Sequence, residues 1–167
     1  YLELIDYANE IEIIFFSTPF DLKSVEFLSN LDMPCYKIAS FENTDVNLIK
    51  RVARTGKPLI ISTGMASVSE LHEAVNAARQ GGCEQLILLK CTSTYPANPE
   101  NSNITTIPHM RDLFDCEVGL SDHTLGVGVA DRHRGHAAGS GVLRGQRHRV
   151  PASVPRADAA VRRVGVG

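Results

Sequence analysis

The chain has 167 residues, 43% hydrophobic and 22% charged, which suits a single globular domain with a buried core. No apolar run approaches the roughly eighteen residues of a membrane-spanning helix, and no signal peptide is visible, so a membrane or secreted protein is not expected. The four cysteines are scattered without zinc-type spacing. We expect them to be reduced side chains in or near the core of a cytoplasmic protein.

Predicted strands and helices alternate along the first 130 residues. Short apolar runs rich in β-branched residues predict buried strands at 11–16, 35–39, 59–61, 86–89 and 117–120. Apolar residues at helical spacing predict helices at 1–10, after Asp21, after Thr44 or Asp45, after Ser67 or Ser69, and near 107–114. Because no hairpin signal separates these units, we expect a parallel sheet covered by helices.

Polar residues gather where the predicted strands end, about one βα unit apart. This pattern predicts an α/β fold, a partial (β/α)₈ TIM barrel of about five parallel strands, in which active sites lie at the carboxyl ends of the strands. A doubly wound open sheet is the alternative, since it also binds ligands at strand ends. No glycine-rich dinucleotide fingerprint follows the first strand, which counts against that alternative.

The strand ends carry side chains suited to binding an anion. They bring together Thr18, Lys37, Ser40, Glu42, Ser62, Thr63, Ser93, Tyr95, Ser121, Asp122 and His123. Lys37 lies inside an apolar strand, where a lysine is costly unless it faces a polar cavity with an anionic partner. Hydroxyls around a lysine can hold a phosphate group, so the pattern predicts a phosphate site.

Two further residues at these ends have more than one interpretation. Glu42 adds a carboxylate near the predicted phosphate site, but it could equally serve as a helix N-terminal carboxylate. A lone histidine is more often structural than a ligand. Because Asp122 and Thr124 flank His123 at a strand end, we interpret it as a metal ligand.

Five motifs, in this order, resemble the sialic acid (nonulosonate) synthase family. They are FSTPFD at 16–21, YKIASFE at 36–42, GKPLIISTGM at 56–65, LKCTSTYP at 89–96 and GLSDHT at 119–124. Within the family, ASFE at 39–42 and YPANPE at 95–100 are most similar to the bacterial pseudaminic acid synthases. The resemblance covers about residues 11–130 and implies the catalytic barrel of such an enzyme.

The resemblance also implies a reaction. Phosphoenolpyruvate would condense with a 2-acetamido sugar aldehyde, of the 6-deoxy type for pseudaminic acid, to give a nine-carbon 2-keto acid and phosphate. A divalent metal, Mn²⁺ or Mg²⁺, would act as a Lewis acid on the aldehyde. The parent enzyme would be a cytoplasmic homodimer, with phosphoenolpyruvate and an N-acetylated amino sugar as its partners and neither nucleic acid nor membrane among them.

Roles for individual residues follow from the same resemblance. Residues that would hold phosphoenolpyruvate are Thr18, Lys37, Ser40, Ser62, Ser93 and Ser121, with Tyr95 beside them. Glu42 would contact the sugar and assist proton transfer, and Lys37 is predicted to act in catalysis as well as in binding. His123 would be one of two histidine ligands to the metal.

Residues 131–167 depart from the family pattern. They contain eight arginines, no lysine and two acids, and show no helical or strand periodicity. A basic nucleic-acid arm is one interpretation. A frameshift explains more, so we predict a partial barrel at 1–130 followed by an aberrant, arginine-rich tail at 131–167 that is not natively folded. The family's opening strands, and its last strand with the second metal histidine, have no counterpart here, and we expect a fragment.

Two alternatives to the synthase interpretation stay open. Another metal-dependent aldolase or sugar-phosphate synthase could share the same fold. The chain could also be a truncated product without activity.

Overall fold

The computed structural model describes residues 1–136 and 142–143. Its elements, in chain order, are α1 (Leu2–Glu10), α2 (Leu22–Asn30), β1 (Tyr36–Ile38), α3 (Val46–Ala53), β2 (Leu59–Ser62), α4 (Val68–Gln80), β3 (Leu86–Cys91), a 3₁₀ turn (Pro99–Asn101), α5 (Thr106–Phe114), β4 (Glu117–Ser121), α6 (Gly128–His136) and β5 (Val142–Leu143). Strands and helices therefore alternate, as the sequence predicts.

The strands form one parallel sheet in the order β1-β2-β3-β4-β5. Each strand pairs with the next in the chain, and a helix lies on the connection between them, which is the arrangement of a (β/α)₈ barrel. The described residues are thus part of a TIM-barrel-like α/β fold, and the fold prediction is confirmed.

The two faces of the sheet carry different side chains. One face packs against the helices in a large apolar cluster that includes Ile38 and Ile61 from the sheet and Ile49 from α3, each 0% exposed. Burying one such side chain contributes about 1.5–3 kcal/mol. The other face holds a small cluster of Cys35, Ile60, Ile87 and Leu89. Because side chains alternate along a strand, this second face also receives the polar residues at the strand ends: Lys37, Ser62, Cys91 and Ser121.

Side-chain caps fix where the helices begin. The carboxylate of Asp21 accepts a hydrogen bond from the Ser24 amide at 2.6 Å, and that of Asp45 accepts one from the Leu48 amide at 2.9 Å. Ser67 and Glu70 form a capping box at the start of α4. The caps of α3 and α4 follow the loops after β1 and β2, so they fix the direction in which the chain leaves these strand ends.

The predicted strand at 11–16 is wrong. Its first residues form a Schellman cap for α1, in which Glu12 (φ 56°) and Ile13 donate to the carbonyls of Asn9 (3.2 Å) and Ala8 (2.8 Å). The chain beyond pairs with the sheet only at a bridge between Ser17 and Tyr36. Strong β propensity did not produce a strand here because the backbone is used to end a helix.

The structure describes part of the segment after residue 130. Residues 131–136 continue α6, and residues 142–143 form β5, paired with Leu120 and Ser121 of β4. The sequence shows no periodicity here, but Ala130, in the first turn of α6, is 0% exposed. The proposed boundary at 130 stays a prediction, and residues 137–141 and 144–167 lie outside the described residues.

Candidate active site

The candidate site lies at the carboxyl ends of β1 to β4 and in the loops that follow them. Ser40 is two residues beyond β1, Ser62 and Cys91 are the last residues of β2 and β3, and Ser121 is the last residue of β4. Parallel pairing brings these ends to one edge of the sheet, with Cys91 directly beside Ser121. The predicted convergence of polar strand ends is therefore present.

Four residues make up what we call the Cys91 cluster: Ser40, Cys91, Ser93 and His123. The Ser40 hydroxyl donates to the Cys91 sulfur at 3.3 Å. The same sulfur lies 4.0 Å from Ser93 Oγ and 3.9 Å from His123 Nδ1. Cys91 is only 2% exposed. One buried thiol thus contacts groups from the loops after β1, β3 and β4.

His123 is held so that one ring nitrogen remains available. Nδ1 lies 3.0 Å from the Thr92 carbonyl oxygen, which can only accept, so Nδ1 carries the proton in this bond. Nε2 then has the lone pair and lies 3.4 Å from the Ser121 hydroxyl. The part-buried ring contacts the Tyr95 ring, with centroids 4.3 Å apart. This arrangement presents Nε2 as an acceptor or a metal ligand.

Gly64 brings the backbone after β2 against the two serines of the Cys91 cluster. A Cβ at this position would lie 2.5 Å from Ser40 Cβ, 2.7 Å from Ser40 Oγ and 2.8 Å from Ser93 Oγ. Its φ of +47° is also in the left-handed region. Only glycine allows this loop to pass so close to both hydroxyls.

Two buried oxygens at the strand ends have no hydrogen-bond partner among the described residues. They are Oγ of Ser62 and Oε2 of Glu42. Ser62 is only 1% exposed. A buried hydroxyl without a partner costs free energy, and such groups are rare outside functional sites. Both therefore point to a ligand that supplies the missing hydrogen bonds.

Asn43 fixes the end of β2 relative to β1. Its side-chain amide donates to the carbonyl oxygens of Ser62 at 3.0 Å and Thr63 at 2.7 Å, and the residue is 2% exposed. The Thr63 hydroxyl in turn donates to the Leu89 carbonyl at 3.0 Å. The position of Ser62 is therefore set by contacts to both neighbouring strands.

Lys37 is the positive group on the polar face of the sheet. Burial lowers its pKa, and this effect is opposed by the nearby Cys91 and Glu42. Burial likewise lowers the pKa of Lys90, whose ammonium donates to the Cys91 carbonyl at 3.2 Å. An anion bound beside Lys37 would favour its charged form.

Thr18 and Lys37 also line a cavity of about 780 Å³ between α1, α2 and the segment at 13–18. Its walls are mostly apolar, with Phe15, Phe16 and Phe27 among them. The Cys91 cluster, Ser62 and Ser121 are not part of this cavity. Among the residues that line the cavity, Lys37 is the one that also belongs to the polar face of the sheet, so Thr18 lies at the margin of the candidate site.

Comparison with known proteins supplies the family. The model of the NeuB family matches residues 1–143. The chain belongs to the NeuB family. A pseudaminic acid synthase from Helicobacter pylori is 41% identical over 124 residues, which are 74% of this chain and 36% of the relative. An uncharacterised protein from Methanocaldococcus jannaschii is 46% identical over 127 residues, covering 76% of this chain and 38% of that protein.

A solved structure agrees with the fold of this NeuB-family chain. The crystal structure of N-acetylneuraminic acid (sialic acid) synthetase from Leptospira borgpetersenii matches with a TM-score of 0.74 and 32% identity, over 77% of this chain and 45% of that chain. The resemblance to sialic acid synthases is thus confirmed. The chain spans a little over a third of the length of the curated relatives it matches.

Among the described residues, one side chain suits a divalent metal, which the family implies. Nε2 of His123 fits that role, because Nδ1 is fixed by a backbone carbonyl, a common partner of metal-bound histidines. No group of three or more His, Cys, Asp or Glu side chains arranged to hold a metal occurs in the described part of the chain. These residues do not complete a metal centre, and no chemical step is derived through one.

Sequence reasoning missed three residues of this NeuB-family site. Cys91 and Gly64 lie inside two of the five family motifs, at 89–96 and 56–65. Cysteines are also common in ordinary apolar cores, and glycines in ordinary turns. Asn43 follows Glu42 directly, and only the fold shows that its amide reaches the next strand. The signal for each was its position two to four residues after the end of a predicted strand.

Proposed function

We propose that this chain is part of the catalytic barrel of a nonulosonate synthase, which condenses phosphoenolpyruvate with a 2-acetamido sugar aldehyde. C3 of phosphoenolpyruvate forms a bond to the aldehyde carbon, and the aldehyde oxygen takes up a proton. Water adds at C2, the bond from C2 to the bridging oxygen breaks, and phosphate leaves with that oxygen. The product is a nine-carbon 2-keto sugar acid.

The observation that carries the proposal is the Ser62 hydroxyl, which is buried at the centre of a polar sheet edge and has no hydrogen-bond partner in the described part of the chain. Lys37 lies on the neighbouring strand on the same face, and the Ser40, Ser93 and Ser121 hydroxyls lie at the same edge. A phosphate or carboxylate oxygen would give Ser62 the acceptor it lacks. Lys37 would supply the positive charge.

The other residues take roles that fit their surroundings. Glu42 has one buried carboxylate oxygen without a hydrogen-bond partner among the described residues. This oxygen can accept a proton, or a hydrogen bond from a sugar hydroxyl. Tyr95, with its ring against His123 and 68% exposed, is suited to contact the substrate at the mouth of the site. Thr18 would complete the phosphoenolpyruvate site from its margin.

The proposal extends to the metal, the sugar and the assembly. Mn²⁺ or Mg²⁺, when bound, would polarise the aldehyde as a Lewis acid, with His123 as one ligand. The similarity of residues 39–42 and 95–100 to pseudaminic acid synthases favours a 6-deoxy sugar substrate. A cytoplasmic homodimer is carried over from the family resemblance. Among the described helices, none is long and apolar enough to span a bilayer.

The test combines ligand binding by the 167-residue chain with turnover by a protein in which the barrel that this chain is proposed to belong to is complete. Binding of phosphoenolpyruvate is measured by titration calorimetry for the wild type and for Ser62→Ala and Ser29→Ala. Ser62→Ala should weaken binding about tenfold, since it removes a hydrogen bond to a charged group. Ser29→Ala is the matched control, because its hydroxyl donates to the Val25 carbonyl on α2 at 2.7 Å and contacts Tyr36 on the helix-facing side. It should bind like the wild type.

Turnover is followed with phosphoenolpyruvate carrying ¹⁸O in the bridging position, Mn²⁺ and a panel of N-acetyl hexosamines. Mass spectrometry should find the label in the released phosphate and a product with the mass of a nine-carbon keto acid. Retention of the label on the organic product would contradict the proposed bond cleavage. Absence of phosphate release with every hexosamine, together with absent phosphoenolpyruvate binding, would refute the synthase assignment.

A further inference from the structure

Cys91 differs from an ordinary core cysteine. Its sulfur lies within hydrogen-bond reach of Ser40 (3.3 Å) and within 4.0 Å of Ser93 Oγ and His123 Nδ1. Although it is 2% exposed, it belongs to neither apolar cluster of the described residues. Three of its contacts are therefore with polar groups of the site, which apolar packing does not explain.

We propose that Cys91 is a positioning residue, whose sulfur packs against the imidazole of His123 and holds the hydroxyls of Ser40 and Ser93 in the arrangement that binds the phosphate group of phosphoenolpyruvate. The inference rests on the proposed function and adds to it a residue that does not itself touch substrate. Cys91 acts by connecting the loops after three strands: β1, β3 and β4.

A thiol suits this task because it is both a weak donor and a weak acceptor. Without an anion, the Ser40 hydroxyl donates to the sulfur. When a bound anion accepts a hydrogen bond from the Ser40 hydroxyl, that hydroxyl no longer donates to the sulfur. The Cys91 thiol can then rotate and donate a hydrogen bond to Ser40 Oγ. The hydroxyl then stays in place while its hydrogen bond changes direction. Serine could do the same, but alanine could not.

Cys35 provides a matched control on the same face of the sheet. It is 1% exposed and lies in the small apolar cluster with Ile60, Ile87 and Leu89. Burial raises the pKa of its thiol to about 12. Alanine at either cysteine removes one buried sulfur. Only the change at Cys91 removes a polar contact of the site.

The gap that each alanine leaves is the same, so a difference in ligand affinity reports the contacts of the sulfur. The experiment uses the full chain and five proteins: wild type, Cys91→Ala, Cys91→Ser, Cys35→Ala and Cys35→Ser. Dissociation constants for phosphoenolpyruvate and inorganic phosphate are measured by calorimetry under conditions where urea titration shows each protein to be folded. Cys91→Ala should weaken both ligands about tenfold, and Cys91→Ser should stay within about threefold of wild type. Both Cys35 variants should bind like the wild type.

The outcomes separate this inference from the proposed function. Wild-type binding that Cys91→Ala leaves unchanged overturns the positioning role alone. Equal losses in Cys91→Ala and Cys91→Ser also overturn it, because the sulfur would then only fill space. If Cys91→Ala does not fold, the Cys91→Ser affinity decides between these results. A wild-type chain that binds neither ligand overturns the phosphate site of the proposed function and this inference with it.

Discussion

Gly64→Ala is the substitution for which the structure gives the sharpest expectation. The added Cβ would lie 2.5 Å from Ser40 Cβ, whereas carbon atoms in contact are about 3.5–4.0 Å apart. Ser40 cannot avoid the clash by rotating its side chain, because the clashing atom is its own Cβ. The loop after β1 or the loop after β2 must therefore move by about 1 Å.

Two costs add up in this variant. A non-glycine residue in the left-handed region costs about 1–2 kcal/mol, and overpacking a tight site costs about 1–3 kcal/mol. We therefore expect Gly64→Ala to lower the free energy of unfolding by about 2–5 kcal/mol. Because both Ser40 and Ser93 are displaced, phosphoenolpyruvate affinity should fall more than the roughly tenfold effect of losing one hydrogen bond.

Gly56→Ala separates these two costs. Gly56 also has a positive φ (+70°), but a Cβ there would meet nothing within 4 Å. It should cost only the conformational part, about 1–2 kcal/mol, and leave ligand affinity unchanged. Urea unfolding followed by circular dichroism and phosphoenolpyruvate calorimetry are the assays. Equal losses of stability in the two variants, or wild-type affinity in Gly64→Ala, would refute the assigned close approach.

Two further substitutions test the polar face of the sheet. Ser62→Ala removes a buried hydroxyl that has no hydrogen-bond partner among the described residues. The free energy of unfolding should therefore stay unchanged or rise by about 1 kcal/mol, while ligand binding weakens. A clear loss of stability in urea unfolding would show that the hydroxyl does make a hydrogen bond in the folded protein. Lys37→Met should be more stable than the wild type at pH 7, because burial lowers the pKa of Lys37 and penalises its charged form. Between the lowered pKa of Lys37 and 10.5, the unfolded chain binds more protons than the folded chain, so wild-type stability rises with pH. The stability difference between Lys37→Met and the wild type should therefore shrink over this pH range. A stability difference that stays constant with pH would contradict this.

Much of the fold could be predicted because local signals agreed with the tertiary structure. Asp21, Asp45 and Ser67 cap helices as expected, and the apolar runs at 59–61 and 86–89 lie within β2 and β3. These runs are buried on both faces of a parallel sheet, which makes them nearly continuous in hydrophobicity. Their pattern therefore leaves little choice of structure.

The failures have an equally local cause. Residues 11–16 have strand composition, but a strand also needs a neighbour, and the described chain pairs with the sheet only at Ser17, just after this segment. The Schellman cap at Glu12 and Ile13 lacks the glycine that usually announces such an end. A sequence pattern without that glycine could not distinguish a helix terminus from the start of a strand.

The candidate site was predictable as a set of strand ends but not as a set of contacts. Ser40, Ser93, Ser121 and His123 come together as expected, whereas Thr18 lies apart on an apolar cavity. Which atoms connect them depends on the register between strands. One-residue differences in register decide whether Cys91 lies beside Ser121, and sequence spacing does not report them.

The division of labour between the two faces of the sheet has a consequence for how such a protein can change over evolutionary time. Residues that hold the helices, such as Ile38 and Ile61, point away from Lys37 and Ser62. Substitutions on the polar face can therefore alter which ligand is accepted while the helix-facing core is kept. A barrel built in this way can diversify its substrates without first having to rebuild its stability.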